Sequence, residues 1–147
     1  MAFDPRADYP LGSERPELVS TPSGLALEEI TLDALRSGRL TADEMRATPD
    51  TLRRQAEVAR AAGREPLAEN LERAAELADV PAETILEIYT ALRPHRCTAA
   101  ELRAWAGRLE AEFSAPLTAA FVREAAAVYA ERGLLRERRE TRDAAQV

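Results

Sequence analysis

The spacing of proline in the first thirty residues limits the fold of this chain more than any other feature of the sequence. The four prolines of this segment stand five or six residues apart, at Pro5, Pro10, Pro16 and Pro22. Because proline lacks a backbone N–H and fixes φ, this spacing excludes a long helix and a central strand. Apolar side chains still recur between the prolines, whereas a disordered tail is usually poor in them. We therefore predict that residues 1–30 form an extended arm that lies on a surface, either of this chain or of another.

Beyond residue 30, most of the remaining prolines stand where segments of helical periodicity begin. Proline suits the first position of a helix, because no hydrogen bond is lost there with its missing N–H. Together with threonine caps, this predicts helices that begin at Thr31, Thr41, Thr48, Pro66, Pro81, Thr98 and Pro116. Thr41 and Thr98 each open the Thr-x-x-Glu pattern of a capping box. The predicted stops are Gly63, Pro94 and Gly133.

Apolar residues three and four positions apart predict which helix faces are buried. The predicted inward faces are Leu52, Ala56 and Ala59; Leu67, Leu71, Ala74, Ala75 and Ala78; Ile85, Ile88, Tyr89 and Leu92; Leu102, Trp105, Ala106, Leu109 and Phe113; and Leu117, Phe121, Ala125 and Val128. The expected fold is all-α, an irregular bundle of about five main helices with an extended N-terminal arm. The predicted segments are the Pro-rich arm 1–30, a helical domain 31–135 and a frayed charged tail 136–147.

Alanine dominates the apolar residues and predicts a thin core. The chain has 147 residues, of which thirty are alanine, and the larger apolar residues amount to only about a quarter of the chain. Because alanine buries little surface, we expect a partner protein to cover part of this chain. The net charge of −6 disfavours a nucleic-acid binder, whose affinity depends on neutralising phosphates.

The sequence favours a cytoplasmic protein that does not span a membrane. A single cysteine excludes an intramolecular disulfide framework and fits a reducing compartment. The longest charge-free runs have ten residues, half of the about 20 that a membrane-spanning helix needs. The N-terminal residues show no basic region followed by an apolar one, so no secretory signal is predicted.

His95 and Cys97 are the first candidates for chemistry, because they are the only histidine and cysteine of the chain. A structural zinc site needs four such ligands, and the neighbouring Arg93 and Arg96 would repel a cation. A nucleophilic cysteine needs a histidine base that a third group holds in place. Both residues are therefore assigned to a loop between helices, without a metal-binding or catalytic role.

Charged residues on the helices are interpreted as solvated surface. Glutamates recur at helical spacing at Glu69, Glu72 and Glu76 and at Glu83 and Glu87, and no second catalytic residue type accompanies them. A weaker hypothesis is that several arginines form the basic patch of a helix-turn-helix regulator. They are Arg53, Arg54, Arg60, Arg64, Arg93 and Arg96. Arginine serves protein interfaces equally well, and the six glycines are too scattered for a phosphate-binding loop. We predict no catalytic, cofactor-binding or metal-binding residue in this chain.

The order of these segments resembles the small subunit of adenosylcobalamin-dependent diol and glycerol dehydratases. The residues that carry the resemblance are Asp8–Leu11, Ile30–Leu32, Thr48–Leu52, Leu67–Asn70, Arg73–Leu77, Ile85–Tyr89, Ala91–Pro94, Ala120–Ala125 and Val128–Tyr129. No single segment is diagnostic, but the set covers Asp8 to about Leu135 in one order. Helical bundles have no reason to share that order by chance.

The resemblance implies a non-catalytic subunit that clasps the large subunit in a dimer of heterotrimers. In that family the large subunit is a TIM barrel with the substrate and an activating metal ion, and adenosylcobalamin lies between the large and medium subunits. The complex converts propane-1,2-diol or glycerol into an aldehyde and water by a radical route. No cofactor is then expected on this chain alone. The arm, led by Tyr9, Leu11 and Leu18, is expected to dock on the large subunit, while the helices from Thr48 onward form the chain's own bundle.

Three positions depart from the family pattern. The family usually has an aromatic residue at the position of His95 and serine at that of Cys97, and Gly107 falls in the middle of a predicted helix. Some members carry a long N-terminal extension linked to packaging in bacterial microcompartments. Only seven residues precede Asp8 here, so a free cytoplasmic enzyme is expected. The alternatives are an independent helical adaptor and, third, a helix-turn-helix regulator.

Overall fold

The computed structural model of the chain describes residues 3–136. These residues form seven α-helices: α1 (Leu11–Glu14), α2 (Leu32–Arg36), α3 (Pro49–Ala61), α4 (Glu65–Leu77), α5 (Ala82–Ala91), α6 (Ala99–Phe113) and α7 (Pro116–Glu131). Within this range, extended pairing is limited to one isolated antiparallel bridge between Ser20 and Ala26. The predicted all-α class is confirmed. None of the described helices is long and apolar enough to cross a membrane.

The chain folds as two compact units, one ending at Asp79 and the other beginning at Val80. The first contains the predicted arm and α1 to α4, and the second contains α5 to α7. The division into an arm 1–30 and a helical domain 31–135 was made on composition rather than compactness, and it stays a prediction. The frayed tail predicted for residues 136–147 lies, apart from Arg136, outside the described residues.

In the first unit, α3 and α4 pack on each other as a helical hairpin joined by residues 62–64. The turn closes at Gly63, whose φ of 72° is unfavourable for residues with a side chain. Ala56, Ala59 and Ala68 form the buried core of the hairpin, and Leu71 packs against them. Because each alanine buries little apolar area, this hairpin depends on further cover from the rest of its unit.

That cover comes from the predicted arm, which folds back on its own unit. Arg54 of α3 donates a hydrogen bond from Nη1 to the carbonyl oxygen of Leu18 at 2.8 Å. Arg6 donates from Nη2 to the carbonyl oxygen of Ala61 at the end of α3, at 3.3 Å. The arm therefore lies on a surface of its own chain, which is one of the two surfaces predicted for it. The helices from Thr48 onward are therefore not the whole of the first unit, because the arm also packs on α3, and docking of the arm on the large subunit stays a prediction.

The second unit is built around α6 and α7, which are joined by Ser114 and Ala115. Ser114 takes the left-handed conformation with φ 52°, and the amide of Ala115 donates to the carbonyl oxygen of Leu109 at 2.9 Å. The two helices are also linked by Arg123, which donates from both terminal nitrogens to the carboxylate of Glu110. This contact holds the pKa of Glu110 below its usual value.

The buried face of α6 agrees with the prediction, whereas that of α7 does not. Leu102, Ala106 and Leu109 of α6 are buried as predicted. On α7 the predicted Leu117 and Phe121 are close to half exposed, and the helix buries Thr118, Ala119, Val122 and Ala126 instead. The smaller side chains allow a close approach of α7 to α6, so the larger ones face outward. Tyr89 of α5, also predicted to be buried, is 67% exposed.

One of the two predicted capping boxes forms and the other does not. At the start of α6, Thr98 Oγ1 accepts from the Glu101 amide at 3.3 Å, and the Glu101 carboxylate accepts from the Thr98 amide at 2.7 Å. At Thr41 the chain forms a single 3₁₀ turn without a side-chain cap. Glu44 instead accepts from Ser23 Oγ at 2.6 Å, and this hydrogen bond lowers the pKa of Glu44. A contact with a distant residue has replaced the local one.

This difference can be measured by removing each threonine hydroxyl. Thr98→Ala should lower the free energy of unfolding by about 1 kcal/mol, because the Glu101 amide loses its acceptor. Thr41→Ala is the matched control and should change it by less than about 0.5 kcal/mol. Urea unfolding followed by circular dichroism gives both values. Equal losses would contradict the assignment of the cap.

Candidate interaction surfaces

The first unit exposes several large apolar side chains. They are Tyr9, Leu32, Leu35, Met45 and Leu67. Single exposed apolar residues are common on protein surfaces and need no explanation. Tyr9 and Leu67 differ from the others because both line one groove between the arm and the α3–α4 hairpin.

This groove, which we call the arm groove, has a volume of about 770 Å³. Leu11 of the arm, Val58 of α3 and Leu71 of α4 contribute apolar side chains to its lining. Tyr9 is 61% exposed and Leu67 is 38% exposed, so both remain available to a partner. Clefts of 300–1,000 Å³ with mainly apolar walls are typical of binding sites.

The charged residues of the arm groove are two arginines. Arg6 is held by its hydrogen bond to the Ala61 carbonyl. Arg64 is exposed at the start of α4, and its backbone amide donates to the Ala59 carbonyl at 2.8 Å. Its guanidinium forms no ion pair with any residue in the range 3–136. The groove therefore combines an apolar lining with an arginine free to bind an acid.

The second unit exposes large apolar side chains on two helices. Leu86 and Tyr89 lie one turn apart on α5 and are more than 60% exposed, and Leu117 and Phe121 lie one turn apart on α7. Leu86 also lines a shallow depression with Cys97 and Trp105. The guanidinium of Arg108 lies over the Trp105 ring, 4.5 Å from its centroid.

His95 and Cys97 lie in the α5–α6 loop as predicted, and backbone hydrogen bonds with residues that follow α7 hold them there. His95 has φ 60°, and its amide donates to the Leu134 carbonyl at 2.7 Å. The Cys97 carbonyl accepts from the Arg136 amide at 2.9 Å. In the part of the chain that is described, no group of three or more His, Cys, Asp or Glu side chains is close enough to hold a metal ion.

Cys97 is partly buried, and this burial raises the pKa of its thiol, with a smaller contribution from the charge of Glu101. We therefore expect Cys97 to react with iodoacetamide at neutral pH more slowly than N-acetylcysteine does, because less thiolate is present. The pH at which its rate is half maximal should lie above that of the free thiol. The urea-unfolded chain is the control and should react at the rate of the free thiol. A faster reaction in the folded chain would identify an activated cysteine.

The six arginines proposed as a basic patch do not act as one. Arg53 pairs with Asp50 at 3.2 Å, and Arg54 binds the Leu18 carbonyl. Arg60 contacts both Glu65 and Glu72 at 3.0 Å, which raises the pKa of Arg60. Three of the six are therefore used within their own unit, Arg93 and Arg96 belong to the other unit, and Arg64 lies in the arm groove.

The glutamates proposed as a solvated face are partly used in ion pairs. Glu72 is bound by Arg60. Arg108 is hydrogen-bonded to Glu112, and this contact, with a smaller contribution from the charge of Glu87, raises the pKa of Arg108. Glu69 and Glu83 are exposed on their helices. Nothing in this arrangement pairs a carboxylate with a second catalytic group.

Sequence reasoning identified Tyr9 and Leu11 as contact residues but missed the arm groove itself. Its other wall consists of residues from α3 and α4, among them Val58. The signal available in the sequence was that Arg64 and Leu67 stand at the predicted start of a helix. Only the folded arm brings these residues together.

The comparisons with known proteins agree with one another. The sequence profile of the family described as "Dehydratase small subunit" matches residues 5–136. A propanediol dehydratase small subunit of Citrobacter freundii is 54% identical over 129 residues, which cover 88% of this chain and 75% of that protein. Its counterpart in Salmonella typhimurium is 52% identical over 130 residues, with the same coverage. The chain therefore belongs to the dehydratase small subunit family.

Proposed function

We propose that this chain is the non-catalytic small subunit of an adenosylcobalamin-dependent dehydratase that converts propane-1,2-diol or glycerol into an aldehyde and water. In this proposal it binds the large subunit, and two heterotrimers of large, medium and small subunits form the complex. Adenosylcobalamin is held by the large and medium subunits and not by this chain. The names of the relatives, both propanediol dehydratase small subunits, support the substrate class.

The observation that carries the proposal is the contrast between the core and the surface of the chain. Most of the buried apolar residues are alanines, and the large side chains that are fully buried are Leu102, Leu109 and Val122. Among residues 3–136, nine large apolar side chains are exposed. Covering them with a partner would remove apolar area from water, at about 25 cal/mol per Å². Tyr9 and Leu67, which share one groove, and the pairs one turn apart on α5 and α7 are grouped rather than single, and an assembly role would give these groups a function.

The proposal is tested by co-expression with the two other dehydratase subunits. A tag on the large subunit should recover the small subunit in equal amount, and omission of the small subunit should lower the yield of soluble complex. The small subunit purified alone should neither bind cobalamin, as measured by visible absorption, nor convert diols. Stoichiometric cobalamin binding by the lone chain, or its absence from the purified complex, would contradict the proposal.

The site of action is proposed to be the cytoplasm, free of a microcompartment. Support for a reducing compartment comes from the single cysteine of the sequence, because one cysteine cannot form an intramolecular disulfide. Cell fractionation tests this, because a packaged enzyme would sediment with the microcompartment shells. Recovery in the sedimenting fraction would overturn the free location.

A further inference from the structure

The arm groove is positively charged, whereas the chain as a whole has a net negative charge. The sequence carries 26 acidic and 20 basic residues, yet among the described residues 3–136 the charged side chains that line this groove are Arg6 and Arg64. Surfaces of opposite potential steer association and fix the register of partners. An acidic occupant therefore matches this groove, whereas it would be repelled by much of the remaining surface.

The apolar lining specifies the rest of the occupant. Tyr9 stands exposed on the arm and Leu67 on the first turn of α4, while Val58 and Leu71 line the groove between the helices. Tyrosine is well suited to anchoring a contact, because its ring buries apolar area and its hydroxyl keeps a hydrogen-bonding partner. A small free acid would leave this lining exposed. A peptide segment with both apolar and acidic side chains would cover it.

A second copy of this chain does not fit as well. Homodimers are mostly isologous, so that the same patch faces itself across a twofold axis. Such a contact would bring Arg64 and Arg6 of both copies together, and the lining residues that the structure describes include no carboxylate to neutralise them. Like charges facing each other across an interface reduce affinity.

We propose that the arm groove binds an acidic, apolar segment of another subunit of the dehydratase complex. A carboxylate of that segment pairs with Arg64, and an apolar side chain of it packs between Tyr9 and Leu67. The inference rests on the proposed function, since it assigns the surface through which a small subunit joins its complex.

Competition within the assembled complex tests this inference. Wild-type and variant small subunits of distinguishable mass are co-expressed with the other two subunits, and their ratio in the purified complex is measured by mass spectrometry. Arg64→Glu and Leu67→Asp should each be incorporated at least fivefold less than the wild type. Arg64→Glu places an acid beside the first turn of α4, where the helix favours negative charge, and circular dichroism of both variants checks that each is folded.

The matched control is Arg39→Glu, another charge reversal in the same unit. Arg39 is exposed and does not line the groove. It should be incorporated equally with the wild type. When the complex is reassembled in vitro from purified subunits, the deficit of Arg64→Glu should also shrink at high salt, because salt screens charge repulsion but does not repair a fold. Equal incorporation of Arg64→Glu and Arg39→Glu would overturn the inference while leaving the proposed function intact.

A photo-crosslinking residue in place of Tyr9 identifies the occupant. The crosslink should join this position to a segment of another subunit that contains both acidic and apolar residues. A crosslink to a second copy of this chain, to a segment without an acidic residue, or within the chain itself would overturn the inference. Absence of the wild-type small subunit from the complex would instead overturn the proposed function.

Discussion

Leu109→Ala should lower the free energy of unfolding by about 3 kcal/mol, within the range of 2–5 kcal/mol found for leucines in packed cores. Leu109 is fully buried in α6, and its carbonyl also accepts the Ala115 amide that closes the turn into α7. Its truncation leaves a cavity, because the packed side chains around it relax only partly. The expected loss of stability is large because few large side chains are fully buried in the second unit.

The control for this experiment is Leu86→Ala on α5. Leu86 is 63% exposed, so the same change in chemistry should cost less than about 0.5 kcal/mol in the isolated chain. Both values come from chemical unfolding followed by the helical circular-dichroism signal. A loss at Leu86 as large as at Leu109 would show that the isolated chain packs α5 differently from the structure.

Deleting residues 1–30 should unfold much of the first unit. The arm covers the α3–α4 hairpin and accepts a hydrogen bond from Arg54 through the Leu18 carbonyl. Its removal exposes Val58 and Leu71, and each large apolar side chain newly exposed costs about 1.5–3 kcal/mol. Because both side chains are already partly exposed, the combined loss is at most about 3–6 kcal/mol, which reaches the lower end of the about 5–15 kcal/mol typical of small proteins.

The measurement is the helical signal of the truncated chain relative to the full one. Part of this signal is lost with the four residues of α1 and the short 3₁₀ turns themselves. Any larger loss would show that α3 and α4 unfold with the arm. Arg54→Met is the control, because it removes one hydrogen bond but keeps the arm, and it should leave the signal intact. If the truncated chain retains α3 and α4, the arm serves assembly alone, as first expected from the sequence.

Helix positions were predictable because their determinants are local. Pro49 and Pro66 stand within the first two positions of α3 and α4, Thr98 caps α6, and Gly63 stops α3 with a positive φ. Each of these residues acts on backbone groups within a few positions of itself. The same locality explains the error at Thr41. Glu44 accepts a hydrogen bond from the hydroxyl of the distant Ser23 instead of completing the local cap, and no rule for local patterns includes a distant donor.

Buried faces were less predictable, because hydrophobicity and burial differ in an alanine-rich chain. On α7 the sequence favoured the larger Leu117 and Phe121, and the structure buried Ala119 and Val122. Two neighbouring helices can gain more from close approach than from burying one large side chain. Whether close approach or the burial of a large side chain is more favourable depends on the shape of the opposing helix. The spacing of apolar residues along α7 does not specify that shape.

The sequence by itself determined the all-α class, the limits of the long helices and the family. Proline, glycine and capping residues set the helix ends through short-range contacts, and family membership depends on the order of segments along the chain. Only the tertiary structure decided the path of the arm, the division at Asp79 and the assembly of the arm groove. These features join residues about fifty positions apart, such as Tyr9 and Val58. Their contacts depend on how the small side chains of α3 and α4 pack, and no local pattern along the chain specifies that.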